Sequence, residues 1–264
     1  MSDRDEEEQT KAPLLDHLIE LRQRLLRSLV AVLIACCVCY YFAQPIFGFL
    51  MEPLATVVRE QTGRRLIYTG LAETFFTYLK VAFFAGLFLS FPIVANQIWK
   101  FVAPGLYKNE RRAFLPFLIA SPVLFFLGGA MVYYLVFPLA IKFFISFETA
   151  PGTTPLPIEF EGRVSEYLSL VMKLIFAFGL FFQMPILLTL LARAGIVSAA
   201  ALAAKRRYAV VILFIVAAVV TPPDVVSQIG LAIPGIILYE ISIVLARMME
   251  KKRAQQQAEL YSSG

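Results

Sequence analysis

The sequence predicts an all-α polytopic membrane protein of six transmembrane helices with both termini cytoplasmic. Three observations lead there. First, 59% of the 264 residues are hydrophobic, 24 are Phe, and only 16% are charged, well below the roughly one quarter that soluble domains carry. Second, several apolar runs approach or exceed the roughly 18 to 20 residues that cross about 30 Å of hydrocarbon as a helix. None alternates polar with apolar as membrane-barrel strands do. Third, Lys and Arg are shared unevenly between successive loops, which sets orientation by the positive-inside rule.

In chain order, residues 1–12 are an acidic polar arm with no apolar heart and no small-residue cleavage site, so no signal peptide is read. Residues 13–250 are the membrane domain, with spans expected at 25–47, 73–102, 113–144, 167–192, 208–221 and 225–246, and 251–264 are a polar cytoplasmic tail. Ahead of the first span, HLIELRQRLL (17–26) continues a leucine stripe through Leu14, Leu18, Leu21 and Leu25. That stripe predicts an amphipathic segment lying on the inner surface before it turns into the bilayer. Cys36, Cys37 and Cys39 lack metal-ligand spacing and read as small apolar filler.

Prolines fall inside the second (Pro92), third (Pro116, Pro122, Pro138), fourth (Pro185) and sixth (Pro234) spans. Each removes a backbone donor and bends its helix, so a concave bundle is expected. The fifth run is the opposite case, because residues 208–221 reach only about 21 Å as a helix. The fold expected is therefore a bent bundle with short fifth and sixth spans joined by the hairpin TPPDVVSQ (221–228). Its thin wall needs local bilayer thinning or an associated helix.

One side of the membrane collects Arg4, Lys11, Arg22, Arg24 and Arg27, then Lys100, Lys108, Arg111 and Arg112, then Arg193, Lys205, Arg206 and Arg207, then Arg247, Lys251, Lys252 and Arg253. The other side holds only Arg59, Arg64, Arg65, Lys142 and Arg163. These cations set topology and meet phospholipid headgroups, so the net charge of +5 does not point to nucleic acid.

Polar residues at depth mark candidate sites because they are costly there. Lys80 and Lys173 are near enough to the outer ends to snorkel, and Asn96 and Gln97 suit ordinary interhelical hydrogen bonds. Gln183 and Glu240 are harder to place; Glu240 is too far from Arg247 to pair with it and needs another helix, water or a proton. At the inner surface Glu20 precedes Arg24 by four residues, the favourable orientation for a helical ion pair. Glu110 stands among Lys108, Arg111 and Arg112, where a local pair is again the plain reading. The lone His17 lies outside the spans, and no nucleophile with a base and no paired aspartates occur in them, which disfavours an intramembrane hydrolase. No catalytic residue, metal site or cofactor is expected. A secondary transporter of a small solute is the rival reading, weakened by the lack of an internal repeat.

HLIELRQRLL, QIWKFVAPGLYKNERR (97–112) and TPPDVVSQ with the following AIPGIILYEI resemble, in this order, the integral-membrane receptor subunit of the twin-arginine protein translocase, the TatC family. The resemblance implies a receptor and channel component in the bacterial inner membrane, not an enzyme. Folded precursors with twin-arginine signal peptides would be its cargo and the proton motive force its energy source. It implies signal-peptide binding at Glu20, Glu110 and Phe101, with His17, Arg22 and Trp99 beside them. It further implies capture of single-span TatA and TatB proteins at Thr221 and Gln228, outer-face roles for Pro53 and Asp224, and a homo-oligomer in the working complex. Many relatives carry Glu where this chain has Gln183, an amide that hydrogen-bonds but cannot titrate.

Overall fold

The computed structural model describes the backbone of residues 3–58, 67, 70, 72–106, 115–148, 162–221 and 224–262. Side chains are described from Leu18 onward, except at 58, 102–106, 115, 252, 253 and 256–262. Every extended element among these residues is helical; the one β contact is an isolated bridge between Ile67 and Arg163. Among the described residues, five helical stretches are long and apolar enough to cross a membrane: Leu18–Tyr41, Glu73–Phe101, Pro116–Ile145, Val164–Arg193 and Val225–Lys251.

The first helix, α1 (Asp3–Tyr41), is continuous through HLIELRQRLL. The expected turn at the membrane surface is absent, because no Gly or Pro in 17–41 interrupts the helical hydrogen bonds and Leu, Arg, Gln and Ala all favour their continuation. Helix α2 (Ala43–Val58), expected only as the end of a span and a loop, follows at once. Helix α3 (Glu73–Leu106) returns antiparallel along α1. Their contact is backbone to backbone at Gly86, where an added Cβ would lie 2.6 Å from the Cys36 Cα and backbone nitrogen. Cys36 Sγ also points at the Phe83 carbonyl, 3.7 Å away.

The third span is α4 (Leu115–Met131), a π turn (Val132–Val136) and α5 (Phe137–Ile145). Pro138 has no N–H for the Tyr134 carbonyl, and the helix absorbs the mismatch as a π turn directly before it. The fourth span likewise splits into α6 (Val164–Phe181) and α7 (Met184–Arg193) just ahead of Pro185. Pro92, Pro122 and Pro234, by contrast, lie within unbroken helices. Helix α4 locks onto α6 by reciprocal glycine contacts: a Cβ on Gly128 would meet the Phe178 carbonyl at 2.7 Å, and one on Gly179 the Phe125 ring at 2.6 Å. Around this seam the phenylalanines stack, Phe91 on Phe125 at 3.6 Å between centroids and Phe88 against Phe125 at 5.0 Å. Much of the Phe excess is thus packing between helices.

Helix α7 ends in a Schellman motif: Gly195 (φ 78°) donates to the Ala192 carbonyl and Ile196 to Leu191, both at 3.0 Å. Ser198 then caps α8 (Ala199–Ala204) through its hydroxyl. The last two helices are α9 (Arg206–Val220), 15 residues or about 22 Å long, and α10 (Val225–Ser262). The expectation of a short sixth span is corrected here. Its apolar stretch runs 27 residues, and beyond Pro234 the run LARMMEKKRAQQQAEL consists of strong helix formers that carry the helix on to Ser262.

Candidate functional site

At one end of the bundle, α1 and α3 bring together the residues around Glu20. Arg24, one turn along α1, lays its guanidinium on Glu20 Oε1, with Nε 3.1 Å away and a second, closer contact from Nη2. The Arg24 side chain is 18% exposed and that of Glu20 37%. Arg24 Nη1 also approaches the Gln97 carbonyl on α3 at 3.5 Å. Phe101 follows Gln97 by four residues and so shares its helix face; it is half-buried. Arg22 is exposed. His17 lies on the backbone of α1 with its side chain outside the described residues, and Glu110 lies wholly outside them, as do Lys108, Arg111 and Arg112.

Trp99 turns inward. Its indole N–H donates to Ser121 Oγ at 3.1 Å, Ser121 donates to Gln183 Oε1 at 2.5 Å, and Gln183 Nε2 donates back to the Ser121 carbonyl at 3.0 Å. Three spans are tied at the break between α6 and α7. The amide fits the site, because Gln183 acts as acceptor and donor toward one serine, which a charged carboxylate cannot do. Ser121 carried no signal in the sequence. Asn96 Oδ1 is buried with no hydrogen-bond partner among the described residues.

Glu240 finds its partner on another helix. Arg206, at the start of α9, grips it with Nε to Oε1 at 2.6 Å and Nη2 to Oε2 at 2.8 Å, a two-pronged pair. Nearby, Glu250 Oε1 accepts from Ala199 N at 2.7 Å, and Tyr239 donates to the Leu202 carbonyl at 2.9 Å. This end of α10 is thereby fastened to α8 and α9.

At the far end of α9, Thr221 is buried and its hydroxyl donates to the Ala217 carbonyl at 2.8 Å. Asp224 caps α10, its Oδ1 accepting from Ser227 N at 2.6 Å, while Oδ2 is buried without a hydrogen-bond partner among the described residues. Gln228, one turn further, is half-buried and reaches toward the Phe214 carbonyl at 3.5 Å. Pro222 and Pro223 lie outside the described residues.

Pro53 is buried in α2. It cannot donate to the Phe49 carbonyl one turn back, and Tyr133 from the π turn supplies the missing donor at 2.6 Å, with its ring stacked on Phe49 at 4.4 Å. Tyr167 caps the neighbouring Leu50 carbonyl at 3.2 Å. Neither tyrosine was marked by the sequence. Among the described residues no three His, Cys, Asp or Glu side chains gather as a metal site would need.

The family model for Sec-independent protein translocase protein (TatC) matches residues 16–234. A TatC protein of Magnetococcus marinus is 51% identical over 248 residues, covering 94% of this chain and 89% of the relative. The Escherichia coli K12 protein of the same name is 40% identical, covering 89% and 88%. The fold is similar to a crystal structure of the twin arginine translocase receptor TatC, with a TM-score of 0.74, 38% identity, and coverage of 89% of this chain and 99% of that one. From its helices and its sequence alike, this chain belongs to the TatC family and is a core membrane component of the twin-arginine protein translocase.

Proposed function

We propose that the chain is the receptor of its translocase, binding twin-arginine signal peptides of folded precursors at the end of the bundle where Glu20 sits. The observation that carries this reading is Glu20 itself. Its carboxylate is partly exposed, on a mostly basic face, and already holds one guanidinium in place. An incoming arginine fork engages such a group through two parallel bonds, where an ammonium offers only a point charge. Phe101, on the α3 face that Arg24 touches, offers apolar contact beside it, with Glu110, His17 and Arg22 around the same rim. Trp99 acts from behind by fixing α3 to Ser121 and Gln183.

The same reading has six spans, α9 being the short fifth, with both termini cytoplasmic in the bacterial inner membrane and the proton motive force driving export. Helix breaks before Pro138 and Pro185 bend the walls around the path of the signal peptide's apolar part. Single-span TatA or TatB helices are held where α9 is too short for the bilayer, with Gln228 as the polar contact and buried Thr221 closing the α9 end behind it. Pro53 and Asp224 shape the outer face, and several copies of the chain work together.

Photo-crosslinking from positions 20, 101 and 110 to a twin-arginine peptide, with a twin-lysine peptide as control, tests the receptor assignment. Strong labelling by the first and weak labelling by the second is expected. Equal labelling by both removes the charge-fork mechanism.

A further inference from the structure

Beyond the π turn the third span leaves α6. Helix α4 packs along α6, whereas α5 packs mainly on α2 and α10. A crevice of about 250 Å³ opens where they part. One wall is the α5 face of Phe137, Ala140, Ile141 and Phe144, and the other is the α6 face of Tyr167, Leu170 and Leu174. From Arg163 to Leu174 the crevice runs about 16 Å along α6. Its lining is almost wholly apolar except at the mouth, where Arg163 and Glu166 stand one turn apart, 3.1 Å from each other, with side chains 46% and 69% exposed. This mouth is at the end of the bundle opposite Glu20: α3 begins there, Glu73 accepting from Ser165 at 2.5 Å, and reaches Arg24 only at Gln97.

We propose that this crevice holds one acyl chain of an ethanolamine phospholipid, with the phosphate at Arg163 and the ammonium at Glu166. Charge complementarity selects this occupant. A slot that is apolar inside and carries, among the described residues, one cation and one anion at its rim matches a zwitterionic headgroup on an apolar tail. A headgroup with phosphate alone would meet the Glu166 carboxylate without compensation. Guanidinium binds phosphate through two parallel bonds, and the exposed Arg163–Glu166 pair gives up little when it opens. The lipid would brace α5 against α6 at the end of the bundle opposite Glu20.

The test uses the full chain in nanodiscs of equal parts phosphatidylethanolamine and phosphatidylglycerol, with native mass spectrometry reading the lipid that stays bound after release. One retained phosphatidylethanolamine is expected, favoured over phosphatidylglycerol by about tenfold, the effect of one charge-assisted hydrogen bond. Glu166→Gln, a surface change that leaves the fold intact, should abolish that preference while a lipid is still retained. Leu170→Trp fills the crevice and should abolish retention. Lipid following the bulk ratio in wild type and both variants alike would overturn the proposal. So would a photo-crosslinker at Phe144 that captures a single-span protein or a second copy of this chain in place of lipid.

Discussion

Replacing Glu20 by Gln keeps shape and hydrogen-bonding capacity but removes the charge. A charge-assisted hydrogen bond from an incoming guanidinium is worth about 1.5–3 kcal/mol. Binding must first loosen the Arg24 contact to Glu20 Oε1, an i,i+4 pair of about 0.5 kcal/mol. The difference, about 1–2.5 kcal/mol, corresponds to a roughly 5- to 60-fold weaker Kd for a twin-arginine peptide. Twin-lysine binding should hardly change. Fluorescence anisotropy with a labelled signal peptide and the protein in nanodiscs measures both. A companion variant, Arg24→Gln, separates two explanations. If the Glu20 carboxylate is itself the ligand, Arg24→Gln leaves most affinity in place. If Glu20 serves only to fix Arg24 against the Gln97 carbonyl, Arg24→Gln alone reproduces the whole loss. A change of less than about twofold for Glu20→Gln in a correctly folded sample, within the scatter of exposed ion pairs, refutes the reasoning.

Three further outcomes follow from the packing. Tyr133→Phe orphans the Phe49 carbonyl that Pro53 cannot serve, and should lower stability by about 1–3 kcal/mol. In a Pro53→Ala background the restored N–H should shrink that loss, as a double-mutant cycle on detergent-solubilised protein would read. Gln183→Leu should cost about 1–3 kcal/mol by leaving the Ser121 groups short of partners, lowering the unfolding midpoint without altering twin-arginine selectivity. Gly86→Ala drives a methyl into the α1 backbone at Cys36, so it should destabilise by about 1–3 kcal/mol or more. Engineered cysteine crosslinks between α1 and α3 should form more slowly in that variant.

The sequence by itself determined the membrane class, the approximate place of the five long apolar helices, the shortness of the apolar run that forms α9, and the Glu20–Arg24 pair. All of these rest on local quantities: run length, loop charge, and the fixed geometry of residues four apart on a helix. The TatC resemblance was equally legible, since it lies in three contiguous motifs. Tertiary structure alone decided how the polar residues were satisfied. Arg206 reaches Glu240 across 34 positions of chain and Ser121 reaches Gln183 across 62. Tyr133 meets the carbonyl freed by Pro53 across 84, and no periodicity encodes such distances. The same holds for the prolines. Each lacks a donor, but whether the helix runs on unbroken, as at Pro92, or yields, as before Pro138 and Pro185, depends on its packing neighbours. The length of the last helix escaped for a related reason: hydropathy marks where a span leaves the membrane and says nothing of where its backbone hydrogen bonds stop.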